Sequence, residues 1–372
     1  MIALGPLLVA GGLAVSGVVF DDANASGRRD EGERGLAGVV VSDGTTVATT
    51  GADGTYTLPA VAARHVFVVT PGDRRAVTGW FQAAAPRVDF ALAAAPVGAR
   101  WLFAHLSDPH VWAENADRLR RALALAGARG VDCALVSGDL VRDALRADQT
   151  VARAEFALYA SVARTARFPL RPAIGNHDLF GIDRGYSHVP PDHPLYGKAL
   201  YEQEQGPRYS AFNRGRIHFL VLDTIGVDDT RYFGLLDDAQ LEWIRSELRH
   251  VPPGTTVVTV GHIPLRSGAL SLSYAAEGLA RSLMNVGSRT SYRHIVRNAD
   301  ALAEVLRPYR WTLALQGHTH VLERLPAAEG STTRYHTAPS VDERTQFQDP
   351  SGFLVYAAEG DVVDDGELVR LD

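Results

Sequence analysis

The sequence predicts a layered α/β domain preceded by a small all-β sandwich domain. Between residues 17 and 92, short β-rich runs are broken by Gly, Asp and Pro, which is the pattern of a small all-β domain. After residue 99, apolar runs typical of buried strands alternate with segments whose apolar residues recur at helical spacing. Strands and helices in alternation predict an α/β fold built around a largely buried sheet.

The composition limits the kinds of partner. The chain has 372 residues, of which 46% are hydrophobic and 22% charged, and a formal net charge of -6, a profile that predicts a folded protein of two domains. A mildly acidic protein does not attract polyanions in general, so we expect no nucleic-acid polymer as a partner. Because Cys133 is the one cysteine, neither an intramolecular disulfide nor a thiolate zinc cluster can form. Any metal must be bound by His, Asp, Glu or Asn.

Residues 1–16 are predicted to form a separate segment that belongs to neither domain. Residues 2–16 are apolar and rich in small residues, like the hydrophobic part of an export signal, which favours an extracellular or cell-surface location. However, no Lys or Arg precedes this run, and a strand-like run, 17–20, follows at once. A folded first strand, a misplaced start and a cytoplasmic location therefore stay open. The run is too short to predict a membrane span, and no other segment predicts one.

The predicted β domain covers residues 17–95. Asp43-Gly44 and Asp53-Gly54 lie between β-rich runs, where Asp-Gly pairs favour hairpin turns. The Ala, Pro and Gly residues of 93–98 predict a linker to the α/β domain, which covers 99–372.

One loop of the β domain has the spacing of a calcium site. Oxygen-bearing side chains and a glycine occupy positions 1, 3, 5, 6, 9 and 12 of the EF-hand loop pattern: Asp22, Asn24, Ser26, Gly27, Asp30 and Glu33. Such a ring of oxygens suits Ca²⁺, so the sequence predicts a structural calcium ion here. The alternative is a solvated polar hairpin.

In the α/β domain, the segments 115–129 and 237–250 have apolar residues at helical spacing. Asp237 or Asp238 is expected to cap the start of the second helix.

Polar residues follow the predicted strands of the α/β domain at the point where each strand ends. The sequences at these strand ends are Asp108-Pro109-His110, Asp139, Gly175-Asn176-His177-Asp178, Gly261-His262 and Gly317-His318-Thr319-His320. Because loops at the carboxyl ends of strands form the ligand crevice of α/β sheets, we expect these segments to meet. Imidazole nitrogens and carboxylate oxygens suit zinc, iron or manganese, and the number of such groups is sufficient for two ions. The Gly before several of them allows the backbone to turn sharply and approach an ion.

These five segments, with the sequences DPH, GDLVRD, GNHD, GHIPL and GHTH in that order, resemble the signature blocks of calcineurin-like metallophosphoesterases. The match spans residues 101–325. The β domain resembles the prealbumin-like N-terminal domain fused to some bacterial members of that family. The resemblance implies a four-layered α/β/β/α sandwich for the second domain.

The resemblance also implies a role for each residue of the blocks. One ion is expected to be bound by Asp108, His110 and His320, and a second by Asn176, His262 and His318. Asp139 is expected to bridge the two ions. His177 is expected to lie over the substrate and protonate the leaving oxygen, while Asp178 orients its ring.

The activity implied is hydrolysis of a small phosphate ester, with a hydroxide bridging the two cations as the nucleophile. A phosphomonoester is the favoured substrate, a phosphodiester is the alternative within the same chemistry, and a non-catalytic binding protein is the alternative of a different class. Arg142 lies three residues after Asp139 and is expected either to contact substrate phosphate or to form an ion pair with Asp143 or another carboxylate. Nothing in the sequence indicates the metal identity or the oligomeric state.

Overall fold

The computed structural model describes residues 12–269, 282–342 and 350–371. Of the predicted export segment, residues 1–11 lie outside the described residues, whereas Leu13–Asp21 forms the first strand. None of the described helices combines the length and the apolar character needed to cross a membrane.

The β domain consists of two four-stranded sheets. Its strands are β1 (Leu13–Asp21), β2 (Val40–Ser42), β3 (Val47–Thr49), β4 (Thr55–Val61), β5 (His65–Val69), β6 (Arg74–Ala76), β7 (Phe81–Ala83) and β8 (Phe90–Ala94). One sheet has the order β4-β1-β8-β6 and the other β3-β2-β5-β7. Asp43-Gly44 joins the antiparallel neighbours β2 and β3, as expected of a hairpin turn. Asp53-Gly54 instead connects β3 to β4, which belong to different sheets, so this pair turns the chain from one layer to the other.

Two six-stranded sheets form the centre of the α/β domain. The first has the order β11-β10-β9-β22-β23, with β24 also paired to β22, and the second has the order β12-β13-β16-β19-β21-β20. The strands of the first sheet are β9 (Arg100–Leu106), β10 (Cys133–Val136), β11 (Leu170–Pro172), β22 (Gly352–Glu359), β23 (Val362–Val363) and β24 (Glu367–Arg370). Those of the second are β12 (Ser210–Arg214), β13 (Ile217–Val221), β16 (Thr256–Val260), β19 (Arg310–Gln316), β20 (Glu323–Leu325) and β21 (Arg334–Thr337). Two hairpins lie outside these sheets, β14 (Ile225–Asp228) with β15 (Arg231–Gly234) and β17 (Leu283–Val286) with β18 (Arg289–Tyr292).

Alternate residues of each central strand enter two different cores. In β10, Leu135 points into the core between the two sheets, where Phe103 and Phe219 lie, whereas Val136 points into the core that the helices cover. Both faces of the strand are therefore buried, which explains why β10 is apolar throughout instead of alternating between apolar and polar residues.

Helices cover the outer faces of the sheets. They are α1 (Ala116–Ala128), α2 (Gln149–Ala163), α3 (Arg184–Ser187), α4 (Ala199–Gln205), α5 (Asp238–Leu248) and α6 (Ala299–Leu306). The N-cap of α5 is Asp237, whose carboxylate accepts a hydrogen bond from the backbone N–H of Gln240. The predicted architecture, an α/β/β/α sandwich behind a small all-β domain, is confirmed.

The two domains share a core. Phe67 of β5 packs edge-on against Trp243 of α5, with ring centroids 5.9 Å apart, and the Trp243 indole N–H donates a hydrogen bond to the Ser42 hydroxyl oxygen at 3.0 Å. The backbone N–H of Asn213 in β12 donates to the Thr70 carbonyl at 2.9 Å. Since apolar packing and backbone pairing both cross the boundary, the β domain is fixed against the α/β domain.

Candidate metal centre

The side chains expected to bind metal come from the carboxyl ends of five strands. Asp108 and His110 follow β9, Asp139 follows β10, and Asn176 follows β11. In the second sheet, His262 follows β16, while His318 and His320 follow β19. The strands β9, β10 and β11 are mutually parallel, as are β16 and β19, so the loops that follow them in each sheet lie at one edge.

The first group of expected ligands is Asp108, His110 and His320. His320 Nε2 lies 3.2 Å from Asp108 Oδ1 and 3.3 Å from His110 Nε2. His110 Nε2 lies 3.9 Å from the same carboxylate oxygen. Three donor atoms at these separations can share a single cation.

The second group is Asp139, His262 and His318, with Asn176 beside it. His262 Nε2 lies 3.2 Å from Asp139 Oδ2, 3.0 Å from Asn176 Oδ1 and 3.2 Å from His318 Nδ1. A carboxylate, an amide oxygen and two imidazoles therefore lie close enough together to share a second cation.

Asp139 lies between the two groups. Its Oδ2 atom is 3.7 Å from His110 Nε2 and 3.2 Å from His262 Nε2. A carboxylate in contact with a histidine of each group has the position required of a ligand shared by two ions.

The charge balance of the site also fits bound cations. Asp108 and Asp139 are buried, and among the described residues the ion-pair contacts of both come from histidines and not from Lys or Arg. Burial alone would raise the pKa of Asp139, but the charges of His262 and His177 outweigh it and hold that pKa well below its usual range. Burial is likewise outweighed at His262, where Asp139 raises the pKa to about 9. Two buried carboxylates surrounded by imidazoles are a donor set that divalent cations satisfy.

The backbone at the site is strained. Five of the expected ligands have positive φ angles, a region that non-glycine residues rarely adopt: Asp108 (48°), His110 (41°), Asp139 (52°), His318 (72°) and His320 (57°). Such conformations persist only where surrounding structure enforces them, and they concentrate at functional sites.

A series of side-chain hydrogen bonds holds the Asp108 carboxylate in place. The Ser107 hydroxyl donates to Asp108 Oδ2, and the Ser137 hydroxyl donates to Ser107 Oγ at 2.7 Å. His105 Nε2 lies 2.8 Å from Ser137 Oγ. All four residues are buried, so these hydrogen bonds fix the direction in which the carboxylate points.

We expect Gly175→Ala to disrupt the site, because a Cβ at this position would lie 2.0 Å from the backbone nitrogen of Asp139. Backbone atoms cannot yield as a flexible side chain can, so the variant should lose about 1–3 kcal/mol of unfolding free energy and bind less metal. Gly127→Ala is the matched control. Gly127 lies within α1, and a Cβ at this position would be 3.7 Å from the Phe168 side chain, an ordinary contact distance. Because alanine favours the helix over glycine, this variant should be more stable than the wild type by about 0.5–1 kcal/mol. Thermal denaturation and metal analysis measure both effects, and unchanged metal content in Gly175→Ala would contradict this account.

The carboxylate that lies against the His177 ring is Asp143, and not Asp178 as expected from the sequence. His177 Nδ1 is 3.2 Å from Asp143 Oδ1, and the other Asp143 oxygen accepts a hydrogen bond from Arg146 Nη1 at 2.9 Å. Burial would lower the pKa of His177, but Asp139 and Asp143 outweigh it and raise the pKa to about 9.

The Asp178 carboxylate does not contact the His177 ring but accepts hydrogen bonds from the backbone. Its Oδ2 accepts from the Gly175 N–H at 2.7 Å, and its Oδ1 accepts from the N–H groups of Leu140 and Val141 at 2.8 and 3.2 Å. The carboxylate therefore joins the loop after β11 to the loop after β10. Burial raises the pKa of Asp178 to about 7, and the charge of Asp139 adds to this shift.

A cleft of about 660 Å³ opens over the first group of ligands. It is lined by His110, Trp112, Glu114, Asn115, Arg118, Arg142, His177, His320 and Asp342. The Arg142 guanidinium carbon lies 3.9 Å from the centroid of the Trp112 ring. The expected alternative, an ion pair with Asp143 or another carboxylate, is not formed with any described residue, and Asp143 contacts Arg146 and His177 instead. Arg142 is thus held at the mouth of the cleft by the indole ring.

No motif in the sequence connects His294 with the expected ligands. Its Nδ1 lies 2.6 Å from His318 Nε2, the nitrogen of His318 that faces away from His262. His294 follows β18, a strand of a separate hairpin and not of either central sheet, so the strand-end argument did not connect it with His318. This contact fixes which nitrogen of His318 is directed at the second group of ligands.

The loop predicted to bind calcium is closed by its own hydrogen bonds. Asp22, which is buried, accepts from the N–H groups of Ser26 and Gly27, and Glu33 accepts from those of Ala23 and Asp30. The Asn24 amide nitrogen donates to Asp30 at 2.8 Å, so the amide side presented there is not the one that binds a cation. The calcium ion stays a prediction.

Comparison with known proteins adds two family matches. The model described as "Calcineurin-like phosphoesterase" matches residues 102–322, more than half of the chain, and the model described as "N terminal of Calcineurin-like phosphoesterase" matches residues 23–84. No curated protein sequence matches the chain.

Several solved structures resemble the chain. A dimetal phosphatase from Danio rerio is 15% identical, with 73% of this chain and 99% of that chain covered and a TM-score of 0.46. A purple acid phosphatase from yellow lupin (Lupinus luteus) seeds is 14% identical, with 92% and 67% covered and a TM-score of 0.49. A protein described as the anchor in the inner membrane complex of Plasmodium is 14% identical, with 73% and 85% covered and a TM-score of 0.45.

Proposed function

Since the chain belongs to the calcineurin-like phosphoesterase family and is a phosphoester hydrolase, we propose that it hydrolyses small phosphomonoesters at a centre of two divalent cations. The observation that carries this proposal is the convergence of two donor groups on Asp139. Asp108, His110 and His320 would hold one cation, and Asn176, His262 and His318 the other, with Asp139 shared. When bound, two cations activate water as the nucleophile and offset the negative charge that develops on the phosphoryl oxygens. Mn²⁺, Fe²⁺ and Zn²⁺ all suit this donor set.

Two cationic side chains complete the proposed site. His177 faces the cleft beside the donor groups and is the proposed acid, which gives a proton to the leaving oxygen. Asp143 positions its ring and favours the imidazolium form. Arg142, held on the Trp112 ring, is the proposed contact for a phosphoryl oxygen, because its guanidinium presents several N–H donors to an oxyanion.

Two cationic side chains at the cleft, His177 and Arg142, favour a monoester over a diester, although the lining also includes the carboxylates of Glu114 and Asp342. A phosphomonoester carries up to two negative charges on its phosphoryl group, one more than a diester. His177 and Arg142 both lie at the cleft and supply positive charge outside the donor groups. A phosphodiester remains the alternative with the same centre.

The substrate class is tested with two aryl esters. Metal-free protein is loaded separately with Mn²⁺, Zn²⁺ or Fe²⁺ and assayed on para-nitrophenyl phosphate and on bis(para-nitrophenyl) phosphate. We expect a higher kcat/KM for the monoester with at least one of the metals. A higher value for the diester would transfer the proposal to a phosphodiesterase. Failure to hydrolyse either ester, with both metal positions filled, would instead favour a binding protein on the same fold.

A further inference from the structure

A second cavity, of about 360 Å³, lies between the β domain and the α/β domain. One wall comes from β6 and the residues that follow it, including Trp80, and another from the amino-terminal ends of β10 and β11. The ligands of the metal centre follow the carboxyl ends of these same two strands. The interdomain cavity is therefore at the opposite edge of the first sheet, and its volume is within the range of small-molecule sites.

The central residue of this cavity is Arg171, the second residue of β11. It is 5% exposed, and its guanidinium carbon lies 4.2 Å from the centroid of Trp80 and 4.8 Å from that of Phe212. No carboxylate in the described part of the chain forms an ion pair with it, and its Nη1 atom is buried without a hydrogen-bond partner there. Burial also lowers the pKa of Arg171 to about 9. Buried arginines ordinarily have an anionic partner. Arg171 is therefore unusual, because its guanidinium has no such partner among the described residues.

The other arginines of the cavity add no negative charge that could offset the unpaired charge of Arg171. There are three of them: Arg74 is paired with Asp21, Arg214 is paired with Asp132, and Arg75 is exposed to solvent. The Nε atom of Arg214 is nevertheless buried without a partner among the described residues. The cavity thus has a surplus of positive charge and two unsatisfied guanidinium donors.

The remaining lining is mainly apolar. Trp80 and Phe212 present aromatic rings, and Pro169 and Leu170 add aliphatic surface. A ligand that matched this lining would combine an oxyanion, which accepts from guanidinium groups in a fork, with a flat apolar body. The metal ions and the phosphoester reaction play no part in this recognition.

We propose that the interdomain cavity binds a small organic anion, with its oxyanion group on Arg171 and its apolar body against Trp80 and Pro169. Benzoate is the probe and benzamide is its uncharged twin of nearly the same shape. Isothermal titration of the full-length, metal-loaded protein should give a Kd below about 1 mM for benzoate. Benzamide should bind at least tenfold more weakly.

Two substitutions locate the binding. Arg171→Met should abolish saturable benzoate binding, and Arg171→Lys, which keeps the charge but not the fork, should weaken it at least tenfold. The control is Arg121→Met, at an exposed position on α1, which should bind as the wild type does. Arg171→Met should unfold at the same or a higher temperature than ligand-free wild type, because it removes an unpaired buried charge. If that variant did not fold, Arg171→Lys would carry the test.

Three results would overturn the proposal. They are equal binding of benzoate and benzamide, benzoate binding that Arg171→Lys and Arg171→Met leave unchanged, and no saturable benzoate binding at millimolar concentrations.

Discussion

Replacing Asp139 with alanine should lower kcat/KM on phosphate esters by at least about 10³-fold and should release metal. Asp139 contributes the carboxylate that contacts a histidine of each donor group. Its Oδ1 atom also accepts a hydrogen bond from the backbone N–H of His177 at 2.8 Å, so the same side chain holds the loop that carries the proposed acid. Losing it removes a ligand from both cation positions at once.

The measurement is metal content per chain by mass spectrometry together with initial rates, both on folded protein. Asp117→Ala is the control, since Asp117 lies on α1 with an exposed carboxylate and pairs with Arg120 on the same helix. It should retain metal and rate. The proposed centre would have to be abandoned if Asp139→Ala kept two bound cations and near-normal turnover.

The positions of the expected ligands could be predicted because each is linked to its strand by local sequence. A buried strand ends, a small residue permits a turn, and an Asp, Asn or His follows, as in Ser137-Gly138-Asp139 after β10. Parallel strands then bring such loops to one edge of the sheet without any knowledge of the packing. This is why residues as distant in sequence as Asp108 and His320 could be assigned to the same group.

The partner of His177 could not be predicted by the same reasoning. Asp178 is its neighbour in sequence, but adjacent side chains on a tight turn point apart, and three backbone N–H groups capture the Asp178 carboxylate. Asp143 reaches the His177 ring from the loop after β10. The choice between two carboxylates depends on which unsatisfied backbone donors lie beneath the loop, and only the three-dimensional structure reveals them.

The relation between the two domains was also beyond the reach of sequence patterns. Apolar periodicity identifies the strands of the β domain, but it does not reveal that Phe67 packs against Trp243 of a distant helix. Arg171 is similar, because its position in a short strand next to Pro172 gave no indication of burial between two aromatic side chains. Both depend on contacts between segments that are far apart in the chain.

Replacing His177 with glutamine should slow hydrolysis to an extent that depends on the leaving group. An alkyl phosphate releases a strongly basic alkoxide, which must be protonated as it departs, so kcat should fall by about 10²–10⁴-fold. Para-nitrophenolate is a stable anion that leaves without a proton, and kcat for its ester should fall much less. The measurement is kcat for both esters, on wild type and variant carrying the same metal.

Two further variants separate the proton transfer from support of the loops. Asp143→Asn keeps an oxygen beside the His177 ring but loses the charge that favours the imidazolium, so it should show a smaller loss with the same dependence on leaving group. Asp178→Asn places an amide NH₂ among backbone donors that need acceptors, so it should lower metal content and thermal stability and affect both esters equally. An equal loss on both esters in His177→Gln, with metal content intact, would assign His177 to binding the phosphoryl group. The proton would then have to come from another group at the cleft, of which Asp342, whose pKa is raised by burial, is the one to replace next.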